Sequence, residues 1–417
     1  MPAKGRRGNS YSHHYFFGGQ SVRSVELFGG AGGLALGVSA AGFSHDAFIE
    51  HDKHACDTVR ENQQSGVEPM AHWPVYEADV KGFDYSFIPA GVDIVAGGPP
   101  CQPFSLGGKH GGHQDERNMF PEAVRAVREL KPRAFIFENV RGLLRQSFAT
   151  YFEYIILQLN YPTIVRKNEE EWRDHLARLE NHHTRGRHND LRYNVVFQLL
   201  NAANFGVPQR RERVFIVGFR SDLNLGWSFP ERTHSHDALL WSQWVTGEYW
   251  DVHQVAKKQR PALPVKLKTK VAALGSKLVP PFEKRWATVW DAIHDIPDPR
   301  LGVEDKRFQH HKYNPGARIY SGHTGSPLHE SAKTLKAGDH GVPGGENMLA
   351  YPNGEVRYFT VRESARLQTF PDEFLFHGCW TECMRQLGNA VPMKLGFTVA
   401  DAVRESLANL NGTVSVE

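Results

Sequence analysis

Cysteine is scarce, with only Cys56, Cys101, Cys379 and Cys383 in 417 residues. So few thiols cannot make a disulfide framework, and they fit a reducing compartment in which a thiol stays available for chemistry. Cys379 and Cys383 lie near His377. Three ligands without a partner cluster fall short of a structural metal site, so ordinary packing and no metal are expected there. Net charge is also small, +3 at neutral pH. That excludes a histone-like polycation, and any nucleic-acid contact must come from lysine and arginine clustered on one face. No apolar run reaches the roughly 18 residues of a membrane-spanning helix. Met1–Gln20 is polar and basic without a long apolar core, unlike a secretory signal, and Arg6-Arg7 is too slight for a targeting element. No internal repeat is evident. The hydrophobic share of 40% and charged share of 23% are ordinary for a globular chain. The length allows two domains, or one large domain with an inserted one.

The stretch Gly97-Gly98-Pro99-Pro100-Cys101-Gln102-Pro103-Phe104-Ser105 organises the chain. It follows Asp93-Ile94-Val95-Ala96, an apolar run that reads as a buried strand. Two glycines and two prolines then stop the strand and stiffen the turn. The prolines hold Cys101 at a strand end, a mounting that a buried structural cysteine does not need.

Before this stretch, Val22–Phe28 reads as a strand, Gly29-Gly30-Ala31-Gly32-Gly33 as a turn, and Leu34 to Ala41 as a helix. Strand, glycine turn, helix opens a nucleotide-binding βαβ unit. The next strand, Asp46–Ile49, ends at Glu50, about twenty residues past the glycines, where an acid accepts hydrogen bonds from a ribose. Asp79 supplies a further acid at a loop edge. Residues 103–118 combine four glycines with Lys109, His110, His113 and Arg117 and read as a basic flap beside the cysteine. Ala134–Phe137 is another buried strand and ends in Glu138-Asn139-Val140. From Arg166 to Arg192 the chain is strongly charged, and Trp172, Leu176 and Leu179 mark an apolar stripe, so a surface helix in an insertion is expected. Two strands follow, Asn194–Leu199 and Arg213–Phe219. Alternating strands and helices predict an open parallel sheet, with Glu50, Asp79, Cys101 and Glu138 facing one crevice at the strand C-termini. Past about Leu223 the chain turns rich in Trp, His, Pro and Gly and loses periodicity, which predicts a second domain of irregular structure and short strands.

A positioned thiolate is a strong nucleophile, and a carboxyl group at the neighbouring strand end can move a proton if burial raises its pKa. Arg211 and Arg213 are expected to project alternately from an extended stretch, one reaching the pocket and the other bracing it. Thiol, carboxylic acid and guanidinium suit conjugate addition to an electron-poor ring.

On these residues the chain resembles a DNA (cytosine-5-)-methyltransferase of the bacterial restriction-modification type. The resemblance rests on Phe28-Gly29-Gly30-Ala31-Gly32-Gly33, Glu50, Asp79, Pro99-Pro100-Cys101-Gln102 and Glu138-Asn139-Val140. It continues through Gln209-Arg210-Arg211-Glu212-Arg213, Arg362–Gln368 and Gln386-Leu387-Gly388-Asn389-Ala390-Val391, all in the family's order. Gly29-Gly30 stands where serine or alanine before glycine is more usual.

The resemblance implies an α/β fold: a Rossmann-like S-adenosylmethionine-dependent methyltransferase sheet with a second, smaller irregular target-recognition domain. The catalytic and cofactor-binding domain would span 1–223, with a charged insertion at about 166–190, and be completed by 386–417. The target-recognition domain would span 224–385. S-adenosylmethionine would be the cofactor, with Phe28 on the adenine, Glu50 on the ribose and Asp79 on the adenine amine. Gly30, Gly32 and Asn389 would line the methionine portion, with Pro99 and Val391 also at the cofactor. Cys101 would attack C6 of cytosine, Glu138 would contact N3 and the exocyclic amine, and Arg213 would hold O2 with Arg211 beside it. The implied partner is double-stranded DNA with the target base flipped out, bound by a cytoplasmic, nucleoid-associated monomer, with a cognate restriction endonuclease acting separately. A transfer-RNA cytosine-5 methyltransferase of the same fold is the alternative.

Overall fold

The computed structural model describes residues 22–100, 118–186, 190–302, 305, 307–337 and 345–412. Seven strands make its main sheet: β1 (Val22–Leu27), β2 (Phe43–Glu50), β3 (Val75–Glu77), β4 (Ile94–Gly97), β5 (Ala134–Val140), β6 (Tyr193–Asn201) and β7 (Glu212–Arg220). Their order is β3-β2-β1-β4-β5-β7-β6. The pairs from β3 to β5 are parallel, whereas β7 runs antiparallel to both β5 and β6. The expected all-parallel sheet is therefore mixed. The link from β6 to β7 is too short for a crossover helix, so the chain can only turn back on itself.

The central strands read as continuous apolar runs because both sheet faces are covered. On one face Val25, Leu27, Val95, Phe135 and Phe137 pack with α3 (Phe120–Leu130) and α4 (Ala149–Asn160). On the other, Ile94, Ala96 and Ile136 pack with α1 (Gly33–Ala40) and with the long C-terminal helix Met393–Gly412. α1 lies so close to that helix that a Cβ on Gly37 would sit 2.4 Å from the Phe397 nitrogen.

Within the charged stretch, α5 (Trp172–Arg185) buries Trp172, Leu176 and Leu179. It also buries His175, whose ring nitrogens lie 2.8 Å from the Tyr154 hydroxyl and 2.8 Å from the Ile164 carbonyl oxygen. The helix is fastened to α4 along its apolar stripe, with Trp172 edge-on to Tyr151.

Residues 224–360 form short elements. β8 (His234–Ser235) pairs with β9 (Lys284–Arg285), and β10 (Ser326–Pro327), β11 (Met348–Ala350) and β12 (Val356–Tyr358) make a small sheet. Among them run α6 (His236–Leu240), α7 (Glu248–Val252), α8 (Lys268–Gly275) and α9 (Val289–Ile293). Three small apolar clusters support this region. Val361, Ala365, Phe370, Phe374 and Phe376 pack elsewhere, in one cluster with Ala31, Phe48, Leu387 and Ala390. A boundary at 385 would cut that cluster. The packing places 361–385, with its helix α10 (Val361–Leu367), against the glycine-turn side of the main sheet.

Candidate active site

Register places the polar residues in one row. Leu27 pairs with Ile49 on one side and Gly97 on the other, and Gly97 pairs with Phe137. Phe28, Glu50, Gly98 and Glu138 are therefore each one step past a level line, at the C-terminal edge of four adjacent parallel strands. In an open α/β sheet this edge is the ligand-binding crevice. β7 enters from the opposite direction, and its pairing of Arg213 with Val140 brings that arginine to the same edge.

The glycine turn is set by the Glu50 carboxylate. Its two oxygens accept from the Gly30 nitrogen at 2.8 Å and the Asp52 nitrogen at 2.7 Å. Gly32 has φ 86°, left-handed backbone that favours glycine, and it caps α1. Phe28 has φ 54°, uncommon for a residue with a side chain. Such strain collects at functional sites. A Cβ on Gly29 would fall 2.3 Å from the Phe48 ring, so packing rules out serine or alanine here without rearrangement. A Cβ on Gly30 would meet nothing within 4 Å, so that side of the turn is open. Asp79 is exposed and accepts from the Lys81 nitrogen. α11 (Trp380–Asn389) ends beside the turn, with Asn389 exposed and Val391 buried. The Val391 carbonyl oxygen lies 2.4 Å from where a Gly33 Cβ would be.

Next along the row, Cys101 and the glycine-rich basic stretch through Arg117 lie outside the described residues. The residues flanking them are pinned. The Asn139 side-chain amide donates to the Pro99 carbonyl at 2.9 Å, and the Met119 nitrogen donates to the Pro100 carbonyl at 3.2 Å. The buried Glu138 carboxyl stands over Gly98, where a Cβ would come within 3.3 Å of Oε2. Arg213 Nε lies 2.7 Å from Glu138 Oε1. Burial raises the Glu138 pKa above the usual carboxylate range, against the pull of Arg213 and Arg211. Burial thus makes the acid form easier to reach than it is for an exposed carboxyl.

Arg211 is fully buried and donates to the Leu335 carbonyl at 2.9 Å and the Gly388 carbonyl at 2.7 Å. It braces, while Arg213 meets the acid. Alternation is not the reason for this division, because residues two apart in an extended chain share a face. The guanidinium of Arg211 is instead turned away by its two carbonyl partners. Gln209 works with it, accepting from the Leu335 nitrogen and donating to the Leu367 carbonyl. The Arg210 nitrogen donates to the Ala332 carbonyl, and the Thr334 hydroxyl donates to the Arg210 carbonyl. The segment 332–335 is thus fastened along the arginine motif.

Sequence reasoning missed the anchoring roles of Asn139 and Gln209. It also missed Glu26, a buried carboxyl in β1 whose Oε2 lacks a hydrogen-bond partner and whose pKa burial raises strongly. The signal for Glu26 was present, since an acid inside Val-Glu-Leu in a strand covered on both faces has no route to water.

The family model of the C-5 cytosine-specific DNA methylases matches residues 22–161 and 179–405. The chain belongs to this family. The methylase is 32% identical over 393 residues to the type II methyltransferase M.Eco47II of Escherichia coli, covering 93% of this chain and 80% of that one. It is 30% identical to the type II methyltransferase M.NgoMIV of Neisseria gonorrhoeae, covering 93% of this chain and 99% of the relative. Its fold is similar to the crystal structure of the Dnmt2 methyltransferase of S. pombe. That likeness has a TM-score of 0.52 at 17% identity and covers 95% of this chain and all of the other. The family match passes over 162–178, the approach to α5 and its first half. The methylase is accordingly a DNA cytosine-5 methyltransferase of an S-adenosylmethionine-dependent family. Among the described residues no helix is long and apolar enough to cross a membrane, and no group of three or more metal-ligating side chains occurs.

Proposed function

We propose that this methylase transfers a methyl group to C5 of a cytosine in a specific double-stranded DNA sequence, through a transient bond between Cys101 and C6 of the flipped-out base. The observation that carries this reading is the buried Glu138–Arg213 pair. A buried carboxyl whose pKa is raised and a guanidinium stand side by side at the sheet edge, one strand from the prolines that precede Cys101. That pairing matches the protonatable N3 and the adjacent O2 of cytosine.

S-adenosylmethionine fits the other half of the row. Glu50 is held by two backbone N–H groups yet keeps free lone pairs for a ribose diol, and exposed Asp79 can accept from an adenine amine. Phe28 offers a ring face, Gly30 leaves open space, and Gly32, Pro99, Asn389 and Val391 border it. When bound there, the cofactor supplies an electrophilic methyl group. The chain's own residues do the rest. The Cys101 thiolate adds to C6, and the ring electrons displaced by that bond are accommodated as Glu138 gives its proton to N3. Arg213 holds O2, while Arg211 fixes the strand from which Arg213 projects. C5 thereby becomes nucleophilic and accepts the methyl group. Loss of the C5 proton to a base then expels the thiolate, and N3 returns its proton to Glu138 as the aromatic ring is restored.

Rotating a paired base out of the duplex costs a few kcal/mol. Contacts from the region 224–360 would offset that cost, with 332–335 nearest the target. We read the enzyme as a cytoplasmic monomer of a restriction-modification pair whose endonuclease acts separately. Bisulfite sequencing of DNA from cells expressing the chain tests the function. One short sequence context should become protected at a single cytosine. Unmodified DNA accompanied by newly methylated transfer RNA would transfer the activity to the RNA substrate.

A further inference from the structure

We infer that the lobe formed by residues 236–286 is a clamp on duplex DNA flanking the methylated sequence, with lysines on the phosphates and an apolar tip set between base steps. This rests on the duplex substrate proposed above. It assigns a separate surface and a separate task, holding the duplex rather than reading the target.

Charge is concentrated here. Between Val255 and Arg285 the chain carries nine lysines and arginines against one acid, Glu283, although the whole protein is only +3. The remaining chain is therefore net acidic. Some of these cations are spent inside the protein: Arg260 pairs with Asp251, Lys270 with Asp237 and Arg285 with Asp291. Six others, Lys257, Lys258, Lys266, Lys268, Lys277 and Lys284, are exposed. Among the described residues none of the six has an ion-pair partner. Such lysines repel one another unless a polyanion covers them.

The tip is the loop between α8 and β9. Leu278 and Phe282 are fully exposed, at 102% and 103%, and Val279 is 71% exposed. Pro280-Pro281 stiffens this turn, so presenting its apolar side chains costs little further ordering. Leucine and phenylalanine are residue types that wedge between base steps. Apolar side chains flanked by Lys277 and Lys284 suit a polyanion with stacked apolar bases better than an ordinary protein surface.

The lobe is rigidly joined to the site. Val271 and Leu274 of α8 pack on Leu240 of α6. The Gln243 side-chain amide donates to the His329 carbonyl at 2.7 Å, and the Tyr249 hydroxyl lies 2.9 Å from the Thr288 hydroxyl. Those partners flank the segment whose Leu335 carbonyl receives Arg211. Duplex gripped by the lobe would therefore be held at a fixed offset from the Glu138 edge.

The test uses the full-length enzyme, cognate duplexes with and without flanking DNA, and two variants. In one, the six unpaired lysines become glutamine; in the other, Leu278→Ser is combined with Phe282→Ser. All eight positions are exposed, so unchanged thermal unfolding serves as the folding control. Wild type should bind the extended duplex at least tenfold tighter than the short one. The glutamine variant should lose that advantage and flatten the slope of log affinity against log salt by about 5, near 0.9 per phosphate contact. The serine variant should lose affinity for extended duplex with the slope unchanged. The methylated sequence should stay as in wild type for both. A glutamine variant with wild-type length dependence and salt slope would overturn the clamp. So would a loss confined to vesicles of phosphatidylglycerol and phosphatidylcholine, which would reassign the surface to membranes. Wild type that fails to methylate any duplex would instead overturn the functional reading on which the clamp rests.

Discussion

Glu138→Gln isolates the proton held at the sheet edge. Glutamine has the shape of the acid, and its carbonyl oxygen can face Arg213 Nε as Glu138 Oε1 does at 2.7 Å. Burial penalises the charged carboxyl, and glutamine keeps an oxygen for Arg213, so the fold should survive. What disappears is the ability to protonate N3 as the thiolate adds. A positioned general acid contributes about 10²- to 10⁴-fold, or roughly 3–5 kcal/mol of barrier at 1.36 kcal/mol per tenfold. Single-turnover transfer of labelled methyl to cognate duplex, with enzyme in excess, should slow by that factor, while duplex binding by gel shift stays within a few-fold. The pH profile gives a second reading. The acid form of Glu138 is the active one, so its contribution is present below its raised pKa and lost as pH climbs through it. The glutamine variant should lack that alkaline fall. A Glu138→Gln enzyme within about tenfold of wild type, or one keeping the same alkaline limb, would refute the assignment of Glu138 as the acid.

Three further substitutions probe the supports. Arg211→Met should destabilise the fold by about 3–6 kcal/mol in urea unfolding, from two charge-assisted bonds to buried carbonyls; a loss under about 1 kcal/mol would contradict the bracing role. Phe28→Ala should raise KM for S-adenosylmethionine while leaving duplex affinity unchanged, and an unaltered KM would remove Phe28 from the cofactor surface. His45 is buried between the Ser24 hydroxyl and the Ala35 carbonyl, and burial lowers its pKa to about 4. The unfolded chain takes up this proton near pH 6.5 and the folded chain only near 4. Stability should therefore fall by about 3 kcal/mol as pH drops across that window. His45→Gln should flatten the fall, and an unchanged pH slope would count against a neutral buried imidazole.

Much of the edge was legible in the sequence because strand ends are punctuated. Leu27, Ile49, Gly97 and Phe137 each close an apolar run, and the next residue is an aromatic, an acid or glycine. Periodicity marks where such runs stop but carries no direction, so the reversal of β7 was not visible. Nor was the register that levels Phe28, Glu50, Gly98 and Glu138, which depends on pairing between distant segments. The task of Arg211 was hidden for a related reason, since its carbonyl partners lie 124 and 177 residues away. The same holds for 361–385, which follows an irregular stretch in sequence yet packs with Ala31 and Phe48. The stripe Trp172, Leu176, Leu179 correctly marked a helix. Its neighbour His175 is buried too, because Tyr154 and the Ile164 carbonyl supply both partners.

The central claim is a sulfur–carbon bond from Cys101 to the target base. Its most direct measurement is incubation of the enzyme with S-adenosylmethionine and cognate duplex bearing 5-fluorocytosine, followed by denaturing electrophoresis and peptide mass analysis. Fluorine cannot leave as the C5 proton does, so a denaturation-resistant adduct should accumulate, map to Cys101 and be absent from Cys101→Ala. A wild-type enzyme that methylates unmodified duplex yet never forms this adduct, or forms it on another residue, would contradict the account.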